Sequence, residues 1–150
     1  MMNPYLIPVL QFGPRILKRL VSQLEPSEVD QPTGTGRFTP REIIAHLADW
    51  EPIMLARIEQ AVQHPGSTVE PFDEGELAIA HNYAQSDIQQ QLELFASSRG
   101  ATETFLKSLK SDDWSKTITH PERGRLTVME QAFTLIGHDM YHIEQLTALH

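Results

Sequence analysis

Four stretches of the chain repeat apolar residues at helical spacing, and polar connections separate them. In residues 5–24, Ile16, Leu17, Leu20 and Leu24 form one stripe, while Arg15, Lys18 and Arg19 fall on the opposite side. Pro8 and the pair Gly13-Pro14 interrupt the early part, so the regular helix is expected to start near Pro14. The second helix has a strong start: Thr39 as N-cap, Pro40 in the first helical position and Glu42 closing a capping box. Ile43, Leu47, Trp50, Met54 and Ile58 continue it, Pro52 is expected to kink it, and it ends before His64-Pro65-Gly66. Ser86 with Gln89 reads as the cap of a third helix carrying Ile88, Leu92, Phe95, Thr102, Leu106 and Leu109. Thr127 with Glu130 caps a fourth, in which Met129, Phe133, Ile136 and Leu146 are available to a core.

The connections are long. Residues 25–38 are rich in Pro, Gly and Thr, and Gly34-Thr35-Gly36 reads as turn chemistry because no strand flanks it. Within residues 65–85, Asp73 with Glu76 is expected to cap a short helix running through Tyr83. Residues 111–124 contain Trp114 and the turn Pro121-Glu122-Arg123-Gly124. Lys116-Thr117-Ile118-Thr119 is too short to be read as a strand. The pattern predicts an all-α chain, a four-helix bundle forming one domain over residues 1–150, with at least one connection able to cross the bundle.

Composition narrows the partners. Twelve basic against twenty acidic residues give a net charge of −8, which disfavours nucleic acid and anionic membranes. No apolar run is long enough to span a bilayer, and the first residues do not resemble a signal peptide, so a cytoplasmic protein is expected. There is no cysteine, which removes thiolate ligands, thiol nucleophiles and disulfides from the chain itself.

The chemistry lies in the histidines. In His138-Asp139-Met140-Tyr141-His142 the two imidazoles fall about 40° apart on a helix, one turn from each other. His46 stands on the second helix. Three neutral nitrogens from two helices make an open divalent-metal site. As a bare spacing, however, HxxxH equally describes histidines at a core edge, hydrogen-bonded to neighbours. The zinc-protease pattern is not met, because Asp139 stands where HExxH requires Glu. Asp139 is expected to face solvent or touch a neighbour. Asp49, one turn after His46, is a candidate fourth ligand, base or acceptor for an imidazole N–H. His64, His81, His120 and His150 read as solvated, and Arg123-Gly124-Arg125 as a turn with surface charge.

Two blocks then carry a resemblance. Phe38-Thr39-Pro40-Arg41-Glu42-Ile43-Ile44-Ala45-His46-Leu47-Ala48-Asp49-Trp50-Glu51 and Gly137-His138-Asp139-Met140-Tyr141-His142-Ile143-Glu144-Gln145-Leu146 resemble the DinB/YfiT-like proteins, with Phe72-Asp73-Glu74-Gly75-Glu76 also fitting. The resemblance implies a metal-binding four-helix bundle in which His46, His138 and His142 hold one divalent ion, often zinc or nickel, and a homodimer. It implies a metal-dependent hydrolase or a thiol-dependent transferase or isomerase acting on a small molecule, with a low-molecular-weight thiol as cosubstrate. In such an enzyme Asp49 or Glu51 accepts a proton or orients a histidine, and Tyr141 and Gln145 position substrate. The rival expectation is a non-catalytic bundle, in which the metal is structural and the protein acts as a dimer in a stress response. One scaffold can host either.

Overall fold

The computed structural model describes residues 2–149. The four long helices are α1 (Leu6–Ser22), α2 (Pro40–Gln63), α4 (Ile88–Ser108) and α5 (Val128–Thr147), with a short α3 (Glu74–Ala80) between α2 and α4. The expected four-helix bundle is the fold. Each of α1 and α2 packs against both α4 and α5, so helices consecutive in sequence (α1 and α2, or α4 and α5) sit on diagonals of the bundle. The long connections make those diagonal crossings possible.

Local chemistry sets the helix starts. Thr39 and Glu42 form a reciprocal capping box, as do Thr127 and Glu130, and Asp73 accepts a hydrogen bond from the Glu76 amide at the start of α3. Three expectations are corrected. The regular part of α1 begins at Leu6 and passes through Pro14, because Leu6, Ile7 and Leu10 are buried and hold the first turns against the core. The cap of α4 is Asp87, whose side chain accepts from the Gln90 amide, one residue later than the Ser86–Gln89 reading; the Ser86 hydroxyl instead donates to the Tyr83 carbonyl. Phe133 is 44% exposed, since α5 turns Ala132, Leu135 and Asp139 inward.

A further correction concerns strands. Thr117–His120 (β1) and Gly124–Thr127 (β2) pair antiparallel, with Ile118 opposite Leu126. Gly124 has φ +78°, a conformation that glycine tolerates and that closes this turn. The hairpin is supported from its other edge: the Gly66 amide donates to Thr117 O and the Val69 amide to Thr119 O. Ile118 and Trp114 fix it to the bundle by joining the apolar cluster of Leu6, Leu10, Ile58, Leu106 and Leu135. A second cluster, around Leu17, Ile43, Leu47, Phe95 and Leu146, fills the other end of the bundle.

A charged group occupies the bundle interior. Arg99 of α4 is 1% exposed. Its Nε and Nη2 donate to Glu51 of α2 at 2.8 and 3.0 Å, and its Nη1 and Nη2 to Asp139 of α5 at 2.7 and 2.8 Å. Nη1 also donates to the Leu10 carbonyl of α1 at 2.8 Å, so all five guanidinium N–H groups are used. Thr102 adds a hydrogen bond to Glu51, and Phe95 lies beneath the guanidinium, 4.9 Å from its ring centroid. A Cβ at position 13 would collide with the Asp139 carboxylate, so glycine there is what lets α1 close over the group. Asp139 is thus buried, 4% exposed, rather than solvent-facing. Its partner is an arginine forty positions away in the chain.

Candidate metal centre

The three histidines of the two sequence blocks meet. Thr39 and Pro40 start α2 so that His46 falls on the same inner face as Ile43 and Leu47, and it is 1% exposed. His138 and His142 stand one turn apart on α5 and point at it. His46 Nε2 lies 2.9 Å from His138 Nε2, and His142 Nε2 lies 3.2 Å from the same atom. The three rings stand edge-on to one another, with centroids 4.8 to 4.9 Å apart.

This arrangement fits a divalent ion on donor chemistry. His142 Nδ1 lies 2.8 Å from Gln145 Oε1, an oxygen that only accepts, so the proton sits on Nδ1 and Nε2 offers a lone pair. Three Nε2 atoms then face one point, and hydrogen bonds among them cannot satisfy all three. Nitrogen ligands about 2.0–2.1 Å from one ion lie roughly 2.9–3.4 Å from each other in octahedral or tetrahedral geometry, the spacing observed. All three atoms lie within 4.8 Å of one another.

Electrostatics points the same way. Burial, then repulsion from His138 and His142, pushes His46 down to about 2. Burial, then His142, Arg99 and Arg123, pushes His138 down to about 3. Burial also lowers His142, partly offset by its bond to Gln145. The imidazoles are therefore neutral at pH 7, the state that binds metal. Just below them, Arg99 with Glu51 and Asp139 carries one net negative charge in the interior. That charge would offset a cation placed at the three neutral nitrogens. Burial and Glu51 raise the Asp139 carboxyl, and Arg99 opposes them.

The same shifts predict acid sensitivity. Below pH 6.5 an unfolded chain protonates these histidines, while the folded metal-free chain protonates His142 below its ordinary value and His46 and His138 only well below it. The unfolded state then binds more protons, so stability is full above pH 6.5 and falls as the pH drops. His46 and His138 together give a slope approaching about 2.7 kcal/mol per pH unit at its steepest. Urea midpoints measured with chelator at pH 7.5 and pH 5 should differ strongly; equal midpoints would contradict neutral burial.

The remaining candidates are placed differently from one another. Gln145 is buried and holds His142. Tyr141 is 59% exposed and its ring stands edge-on to His142 at the mouth of the site. Asp49 accepts from the Tyr83 hydroxyl at 2.6 Å and lies 2.7 Å from His81 Nδ1, so it ties down the segment that follows α3. Burial and Asp49 raise the Tyr83 phenol. Asp49 does not reach His46 Nδ1, which is buried without a hydrogen-bond partner. Glu51 faces Arg99 and Thr102, below the histidines. Phe38, Trp50 and Tyr83 surround the His46 ring.

Sequence reasoning missed Glu74 as a site residue. It is the first residue of α3, and its Oε2 lies 3.8 Å from His46 Nε2, with the side chain 63% exposed. The acidic run at residues 73–76 was its only signal. Glu74 also lines an open cleft of about 340 Å³ whose walls include His46, His138, Trp50, Tyr141, Arg57 and Arg123. His120, expected to be solvated, is 6% exposed, because its Nδ1 accepts from the Glu122 and Arg123 amides and locks the hairpin turn.

Comparison with known proteins agrees with this geometry. The family model described as DinB superfamily matches residues 10–146. An Oceanobacillus iheyensis protein named "Putative metal-dependent hydrolase OB0782" is 28% identical over 136 residues, covering 91% of this chain and 78% of that protein. "Putative metal-dependent hydrolase YfiT" of Bacillus subtilis is 26% identical over 144 residues, 95% of this chain and 81% of its own. The solved YfiT structure, described as having an unusual four-helix bundle topology, superposes with TM-score 0.91 at 22% identity, over 98% of this chain and 87% of that one. A mycothiol-dependent maleylpyruvate isomerase shares the fold with TM-score 0.77 at 16% identity, over 97% of this chain and 61% of the isomerase.

Proposed function

The chain belongs to the DinB superfamily, and we propose that it is a metal-dependent enzyme acting on a small molecule in the cleft beside His138. The observation that carries this reading is the convergence of three neutral Nε2 atoms at the wall of an open cleft. His46, His138 and His142 hold the ion. When bound, a divalent ion such as zinc or nickel supplies Lewis acidity and lowers the pKa of a water or thiol beside it.

The chain's own residues do the rest. Gln145 fixes the tautomer and angle of His142. Glu74 is the free carboxylate nearest the histidines, and it is placed to take a proton from a nucleophile entering the cleft. Asp49, through Tyr83 and His81, steadies the segment that follows α3. Tyr141 and Trp50 form apolar walls of the cleft. With no cysteine in the chain, a thiolate nucleophile must come from a cosubstrate. Hydrolysis and thiol transfer need the same proton acceptor, and the naming of the relatives as metal-dependent hydrolases favours the first. The opening on the cleft supports an enzyme over a closed structural metal.

Elemental analysis of the purified protein, followed by screening esters, amides and electrophiles with and without low-molecular-weight thiols, tests the reading. Glu74→Gln should lower kcat by about 10²–10⁴ while leaving the bound metal in place. Unchanged turnover in that variant would remove Glu74 from the mechanism, and a wild-type protein free of metal would remove the reading itself.

A further inference from the structure

The cleft continues past His138 into a recess that the metal site does not use. The recess lies between the middle of α2, the N-terminal half of α5 and the β-hairpin, and holds about 20 Å³, room for a single small group. Arg57 and Arg123 line both the recess and the cleft, so the two spaces adjoin. His120, Gln131 and Thr134 complete its polar lining.

Arg57, Arg123 and His120 present N–H donors there, while the Thr134 hydroxyl donates to the Glu130 carbonyl. Among the described residues neither Arg57 nor Arg123 has a carboxylate partner, although the chain has an excess of acids. Arg57 gives one hydrogen bond, to the Glu70 carbonyl, and its guanidinium is held over the rings of Trp50 and Phe72, 5.9 Å from each centroid. The two cations feel each other: burial, then Arg123, lowers Arg57 from its ordinary value. They also depress His120, after burial. Because His120 Nδ1 accepts two backbone N–H groups, its proton is on Nε2, making that nitrogen a donor. The Gln131 amide nitrogen is buried with no partner at all, on a residue 7% exposed. Two guanidinium groups without a carboxylate partner and an unsatisfied buried N–H around a small recess favour an acceptor there.

We infer that this recess is a carboxylate-binding subsite, and that the substrate is a small organic acid whose carboxylate docks between Arg57 and Arg123 while its other end lies at the three histidines. The inference rests on the proposed function only for that second half; the subsite itself needs no metal. A planar carboxylate matches a recess of this size and the forked geometry of arginine. The hairpin thereby gains a function. His120 clamps the turn, Gly124 closes it, and together they present Arg123 to the cleft. Arg125, two residues on, is exposed and lines neither space.

The test is butyrate titration followed by protein NMR, on metal-free protein at pH 7.5 and on His138→Ala. Butyrate should shift the resonances of His120, Gln131 and Thr134 in both proteins. Arg123→Gln, an exposed turn substitution, should weaken binding at least about tenfold, and Arg125→Gln should leave it unchanged. Arg57→Gln should also weaken it, but the fold of that variant must be checked because Arg57 packs on two rings. Equal losses from Arg123→Gln and Arg125→Gln would mean general surface attraction and overturn the subsite. Shifts with inorganic phosphate but not with butyrate would overturn the carboxylate assignment. Butyrate binding by a wild-type protein that takes up neither zinc nor nickel when these ions are added would keep the subsite and reject the metal-dependent reading.

Discussion

Replacing His138 by alanine is expected to empty the metal centre. Its Nε2 is the atom that both other imidazoles approach, at 2.9 and 3.2 Å. The variant keeps two donors on separate helices, and the cleft fills with water where the third stood. Bound metal should fall from about one per chain to a small fraction after gel filtration, with affinity reduced by more than about 100-fold. That exceeds the roughly 10–100-fold expected when a ligand's supporting partner is lost, the effect predicted for Gln145→Leu. The fold should survive at neutral pH, because His138 is neutral there and its removal breaks no ion pair. Elemental analysis and chelator competition read the first effect, and the far-UV helical melt reads the second. Full occupancy in the alanine variant would show that the histidines are not the ligands.

The ordering of predictability follows from how local each signal is. The capping boxes at Thr39–Glu42 and Thr127–Glu130 lie within four residues, and both formed as the sequence implied. The three histidines were legible because HxxxH fixes two of them on one helical face and the second block supplies the other. Glu74 was not, because α3 is too short to show a periodicity and the distance of Glu74 to His46 depends on where α3 docks. The hairpin was missed for a related reason. Each strand has only four residues, and part of its support comes from the segment 66–69, some fifty residues earlier. Nor did helix length reveal that α1 and α2 lie on a diagonal, since long connections permit either neighbour.

Arg99 shows how a correct pattern can be misread. Leu92, Phe95, Thr102 and Leu106 make a buried stripe, and position 99 falls on it. An arginine there looks like an interruption, yet it faces the core with the rest. What neutralises it comes from Glu51 and Asp139, 48 and 40 positions away. Periodicity places the cation inside; only the fold supplies its partners. The polar face of α5 is the complementary clue, because Asp139 adjoins His138 and must also find a partner once buried.

This group gives the largest stability effect. Arg99→Met removes five hydrogen bonds and leaves Glu51 and Asp139 buried together without a cation. Breaking a buried pair by deleting one member typically costs about 3–5 kcal/mol. For a chain of this length that is a fall in Tm of about 6–20 °C. The deficit should depend on pH. In the variant Asp139, whose carboxyl burial already raises, loses the Arg99 partner that opposes the rise, so the folded state takes up protons more readily. Stability relative to wild type is therefore restored as pH falls and lost as it rises through the folded pKa. Urea unfolding should show a larger gap between variant and wild type at pH 8 than at pH 5. Adding Glu51→Gln and Asp139→Asn to Arg99→Met should recover much of the loss, because no unpaired charge is left. If the triple variant were as unstable as the single one, lost packing rather than uncompensated charge would be the cause, and Arg99 would be a space-filling residue that happens to be charged. Rescue would instead identify the ion group as the element that ties α1, α2, α4 and α5 together directly beneath the histidines.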